Sequence, residues 1–214
     1  MKTNSHARTL KMVQIALLAA IVVILQLFFS SVRVGPVTLN FVLVPIVIAS
    51  VFIGPLAGFC VGAFAGVTTF IQVFTSADPF YIFLMTNNPV ATAVICILKT
   101  ALAGLLAGFV YNGIKKHTDS KISSFKTSSL GAIAPAVVCP VVNTGLFCLG
   151  MYLFFGNAFL NDAAYSSVVA GNLFYFIVII LAGWNFLIEL LLNVILCPLL
   201  TKALLATKFF GDKN

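Results

Sequence analysis

The sequence predicts an all-α integral membrane protein, a bundle of six transmembrane helices with both termini in the cytoplasm. Three observations predict it. Of 214 residues, 61% are hydrophobic and only 8% charged, where a soluble domain carries about 25% charge. Long apolar runs recur along the whole chain, each near the roughly 20 residues that a helix needs to cross a bilayer. The basic residues, finally, gather in alternate connections, as the positive-inside rule requires of a multi-pass protein. Soluble, secreted and disordered classes are excluded, and the net charge of +7 is a topology signal that needs no nucleic acid.

Residues 1–9 form a cytoplasmic N-terminus, 10–205 the membrane domain and 206–214 a cytoplasmic C-terminus. The first span runs from Leu10 to Phe29. It is too long for a signal-peptide core, and SSVRVG after it offers no small-x-small cleavage site. The second, Phe41 to Ile53, is short and stops at Gly54-Pro55, a pair that turns the chain. The third continues from there to Phe74. After the polar segment TSADPFYIFLMTNN, Pro89 opens the fourth span, which closes near Tyr111. The fifth, Leu130 to Phe155, carries Pro135 and Pro140, which free backbone carbonyls toward a cavity. The sixth occupies Leu173 to Leu200.

Ten of the 12 basic residues fall before span one (Lys2, Arg8, Lys11), between spans four and five (Lys115, Lys116, Lys121, Lys126) or after span six (Lys202, Lys208, Lys213). The opposite connections hold Arg33 with Asp78 and Asp162. Even crossing number and this asymmetry together place both termini inside.

Several chemistries lack their residues. The histidines, His6 and His117, sit in cytoplasmic segments, away from any membrane Ser or Cys that they might activate in a hydrolase. The five acids are scattered, no GxxxxGK[ST] occurs, and the five cysteines lie within spans without a CxxC. No cofactor and no metal are expected, and any ATP-driven step would belong to another subunit.

Gly54, Gly58, Gly62 and Gly66 recur every four residues on span three, and Gly104 with Gly108 repeats the pattern on span four. Such grooves let helices approach closely, within the chain or against a partner. Ala16 and Ala20 make a smaller pair on span one. Only Lys99 and Glu189 are ionisable inside spans, at a cost of about 2.5–3.5 kcal/mol each near a membrane centre. Two readings stand: an ion pair joining spans four and six, or contact with a polar substrate. Asn185, Glu189 and Asn193 are spaced i, i+4, i+8, a polar stripe that faces the bundle rather than lipid. Gln26, Asn40, Gln72, Asn87, Asn88, Asn143 and Asn172 add polarity toward the outer half, with helix caps or interfacial anchors as the alternative use of Asn87, Asn88, Asn172, Gln26 and Gln72.

Six spans with both termini inside, ALLAA in span one, the VPIVIASVFIGPLAGFCVG turn and PVVNTGLF in span five together make a chain that resembles the substrate-binding S component of energy-coupling factor (ECF) vitamin transporters. The resemblance implies capture of a vitamin at the outer face of a bacterial plasma membrane. It also implies docking on a coupling membrane subunit with two ABC-type ATPases, followed by toppling in the lipid to release cargo. Ala16 and Ala20 would match the family's AxxxA docking motif, and SSVRVGPVTLN would be a lid. By the same resemblance the substrate residues are Arg33, Asn87, Asn88, Lys99, Asn143, Asn185 and Glu189. PVVNTGLF is most similar to pantothenate-linked members, with Lys99 or Arg33 against the carboxylate. Riboflavin-type members share the GPLAG turn, though Asn40 stands where their pattern has an acid. Outside this family, the same residues fit a stand-alone secondary carrier with Lys99 and Glu189 as a proton relay, or an assembly protein whose glycine stripes bind partner helices.

Overall fold

A computed structural model describes residues 2–29, 33–34, 37–38, 40–118, 129–169 and 171–206. Lys121, Lys126, Lys208 and Lys213, part of the basic asymmetry, lie outside the described residues, as do most of the two expected cytoplasmic ends as side chains.

Helix α1 spans Lys2–Phe29. Its inward stripe of Gln14, Leu18 and Val22 is buried at i, i+4, i+8 spacing against α2 (Leu43–Phe52) and α3 (Pro55–Thr75), while the opposite face is exposed. Between α1 and α2 lie two short antiparallel strands, β1 (Arg33–Val34) and β2 (Val37–Thr38), with Arg33 paired to Thr38. Then follow α4 (Pro79–Asn87), α5 (Pro89–Thr118), a 3-10 turn at Ser129–Ala132 and α6 (Ile133–Asn161). After the short α7 (Ser166–Val169) and α8 (Leu173–Tyr175), a π-helical segment, Phe176–Leu181, leads into α9 (Gly183–Ala206).

Among the described residues five helices, not six, are long and apolar enough to cross a membrane: Arg8–Phe29, Pro55–Thr75, Pro89–Lys116, Ile133–Asn161 and Gly183–Leu205. The segment expected as span two is the ten-residue α2, about 15 Å long and half the hydrocarbon thickness. All of it from Leu43 to Val51 is buried, as its lack of any polar face demands. Asn40 lies at the level of Glu189, well inside α9, because its amide donates to Glu189 Oε1 at 2.9 Å. Backbone that is not helical is tolerated at such depth only where protein or a cavity surrounds it.

The other element bounds follow their sequence signals. At Gly54, φ is +127°, a conformation that L side chains rarely adopt. Its amide and that of Ile53 both donate to the Ala49 carbonyl, at 3.1 and 3.0 Å, and Pro55 then opens α3. Pro89 opens α5 as expected, but the helix runs past Tyr111 to Thr118. Helix α4 departs from the expected polar connection. Asp78 caps it, its Oδ1 accepting from the amides of Phe80 (2.9 Å) and Tyr81 (3.3 Å), with Pro79 in the first turn.

The glycine stripes pack inside the chain. A β-carbon placed on Gly58 would lie 2.6 Å from the Gly104 carbonyl oxygen, one on Gly66 2.5 Å from Ile97 Cα, and one on Gly108 2.5 Å from Pro55 Cα. Helices α3 and α5 therefore touch backbone to backbone. Ser50 of α2 fastens to the same junction, donating to the carbonyls of Ile46 (2.9 Å) and Gly104 (2.8 Å).

Two apolar cores result. One packs α1 and α2 against the N-terminal half of α3, the C-terminal half of α5 and the first turns of α6, through Val22, Leu43, Ile46, Val47, Val61, Ala103 and Ala136. The other, at the opposite end, is aromatic: Phe80, Phe83, Phe159 and Phe176 gather around Tyr165.

Candidate functional site: a cavity between the two cores

The cavity is walled by the C-terminal turns of α1 and α3, by α4, by the first turns of α5 and α9, and by the middle of α6. Helices α1, α3 and α6 thus run toward the cavity end and α5 and α9 away from it. The N-terminal part of α1 and the C-terminal part of α9 share the other end. About 880 Å³ between the lining side chains is free of protein atoms, the open mouth included.

Lys99, Asn143, Asn185 and Glu189 all line this space. Lys99 is 9% exposed, and its ammonium lies 5.2 Å from the centroid of the Phe147 ring, a cation-π contact. No ion pair forms between Lys99 and Glu189 among the described residues: Glu189, buried on α9, spends Oε1 on the Asn40 amide. Asn143 is 3% exposed, and its Oδ1 has no donor. Its place on α6 follows Pro140, whose missing amide leaves the Ala136 carbonyl without its usual helical donor. Asn193, third in the polar stripe, lies below the cavity. Its Nδ2 donates to the Glu189 carbonyl at 2.8 Å and its Oδ1 accepts from Cys197 Sγ at 3.6 Å.

Asn87 and Asn88, expected at the site, are not among the residues that line the cavity. Asn87 donates to the Phe83 carbonyl on its own helix (2.9 Å), and Asn88 Oδ1 accepts from the Ala91 amide (2.9 Å), capping α5. Their position at the sharp α4–α5 turn leaves backbone groups to satisfy, and the caps do so. Arg33 pairs through its backbone in β1, and its side chain lies outside the described residues. Gln26 and Gln72, which the sequence also allows as interfacial anchors, join α1 to α3 at the cavity wall: Gln26 Nε2 donates to Gln72 Oε1 (2.6 Å) and Thr69 Oγ1 (3.2 Å).

Tyr81 belongs to a segment whose sequence reads as a polar connection, and sequence reasoning misses it. Its hydroxyl lies 2.9 Å from Thr38 Oγ1 and accepts from the Thr38 amide at 3.4 Å. The Asp78-Pro79 pair is the signal that points to α4, and with it to Tyr81. Thr38 and Asn40, which both line the cavity, are thus held on two different walls, α4 and α9. Tyr81→Phe removes both hydrogen bonds to Thr38, together worth about 1–2 kcal/mol net, so bound ligand is expected to leave roughly five- to thirtyfold faster with the fold unchanged. Stopped-flow measurement of dissociation checks this, and an unchanged off-rate rejects Tyr81 as a fastening.

The geometry defines a class: a multi-pass helical membrane protein with a cavity of mixed polar and apolar lining between two packed cores. The family model for the ECF transporter, substrate-specific component, matches residues 10–201, and the chain belongs to that family. Members are substrate-binding subunits of transporters and work with membrane and ATPase partners. No curated relative matches the chain. Among the described residues there is no cluster of three or more His, Cys, Asp or Glu that would hold a metal ion.

Proposed function

We propose that this chain is the capture subunit of an ATP-driven importer in a bacterial plasma membrane, taking a small polar micronutrient from outside. In this reading α2 belongs to a sixth crossing, both termini are cytoplasmic and the cavity faces outward. Pantothenate is the first candidate cargo and riboflavin the second. Pantothenate is favoured by PVVNTGLF, which carries Asn143 and Phe147 into the cavity wall, and by the ammonium of Lys99 available for a carboxylate.

One observation carries the reading: on the side of α2 the cavity is backed by a solidly packed core. Beneath it Leu43, Ile46, Val47, Val61 and Ala136 fill the bundle with almost no exposure. A carrier that works alone needs two faces that open in turn, and dense interiors deform little. A capture subunit needs only one face, because a partner reorients it. The partners are then a coupling membrane subunit and two ABC-type ATPases. The docking face is the exposed side of α1 where Ala16 and Ala20 lie, small residues that let a partner helix come close.

Uptake in cells that express the chain with its partners is expected to stop when ATP is depleted and to continue when the proton gradient is collapsed at constant ATP. The reverse pattern would favour the secondary carrier, with Lys99 and Glu189 as its proton relay.

A further inference from the structure

Lys99 and Glu189 are the two buried charges of the described membrane helices, and they face one cavity without touching. Each is incompletely satisfied. The ammonium has three N–H donors and, among the described residues, only the Phe147 ring as a partner. The carboxylate uses one oxygen on the Asn40 amide, and no described side chain donates to the other. Asn143, on the wall between α5 and α9, adds a carbonyl oxygen without a donor. Buried charges left in this state are costly, and a fold that needed only an ion pair would close the gap.

We propose that the gap is a two-point recognition site, which selects a ligand carrying an acid group beside an N–H or O–H donor. The acid group binds Lys99 over the Phe147 ring, and the donor binds the free oxygen of Glu189. This rests on the capture-subunit reading and deepens it by assigning the ligand's chemical class. It also gives Glu189 a second role. Because the same carboxylate holds the Asn40 amide, a ligand that orders it orders Asn40 as well. A neutral heterocycle or a cation without an acid group leaves Lys99 unmatched and is rejected.

The test uses the full chain in nanodiscs and isothermal titration with pantothenate and biotin, which carry an acid and donors, and with riboflavin and thiamine, which carry no acid. The molecule that co-purifies is extracted by denaturation and identified by mass spectrometry. The tight binder and the extracted molecule are expected to be acids. The methyl ester of the tight binder is expected to bind wild-type protein about 100-fold more weakly, Lys99→Met to weaken the acid as much, and Glu189→Gln to weaken it about tenfold. The ester arm needs no variant, so a folding defect in Lys99→Met leaves the test intact. An ester that binds as well as its acid, or riboflavin or thiamine as the tight cargo, overturns the two-point site while the capture-subunit reading stands. A chain that carries nothing and binds nothing overturns both.

Discussion

Gly62→Leu is expected to abolish the folded protein, the largest loss of stability expected of any single change in the bundle. A β-carbon at Gly62 would already lie 2.8 Å from the Thr100 carbonyl carbon and 3.0 Å from Ala101 Cα, and leucine adds three more carbons. The obstacle is backbone, which no rotamer change can move aside. Overpacking in dense interiors costs about 1–3 kcal/mol and occasionally more. Here α3 and α5 would also separate along the whole junction that Gly58, Gly62, Gly66 and Gly104 share. The loss reaches the cavity, because Thr69 and Gln72 on α3 and Lys99 on α5 stand on the same two helices. Gly145→Leu is the control: nothing lies within 4 Å of a β-carbon there. Yield of monodisperse protein and its melting temperature distinguish the two. Equal behaviour would show that the glycine junction is not what holds the bundle.

Ala16→Trp is expected to abolish uptake and leave ligand binding intact. Ala16 and Ala20 are exposed on α1, whose inward stripe is Gln14, Leu18 and Val22, so an indole at position 16 is carried on the face away from that stripe. It would hold a partner helix away from a face that small residues leave open. Asn143→Ala is the opposite case, removing an amide from the cavity wall: binding falls by about tenfold or more, and uptake falls with it. Binding to the purified chain and uptake by cells with the partner subunits are measured for both variants. Equal loss of binding in the two would refute the division between a docking face and a cavity.

The class of the chain is legible in its composition. Mean hydropathy of +1.14 and long apolar runs require that backbone groups be satisfied within helices. Gly54-Pro55 and Pro89 announce helix boundaries through local backbone restrictions, and those boundaries stand where the residues place them. The polar face of α9 is legible too, because helical periodicity alone puts Asn185 and Glu189 on one side. The glycine pattern announces close approach, although not which helix approaches.

Other features depend on how segments cross in space. Asn87 and Asn88 have the residue type of a ligand-binding amide and the sequence position of a cap, and only the α4–α5 turn decides between them. The second passage reads as an apolar run, yet its depth follows from the bond between Asn40 and Glu189, residues 149 apart in sequence. Tyr81 reaches the cavity because Asp78 caps a helix that buries Phe80, Phe83 and Leu84. Ala16 and Ala20 acquire a free face only because α1 packs on α2 and α3 along its other side.

The sequence by itself determined that this protein lives in a membrane, that helices begin at Pro55 and Pro89, and that Lys99 and Glu189 lie in the same bundle. Those properties rest on composition, dihedral restriction and periodicity, which act over a few residues at a time. The tertiary structure alone decided that the two charges share a cavity without meeting. The close α3–α5 junction fixes where Lys99 stands and the bond from Asn40 occupies Glu189, long-range contacts that no local pattern encodes.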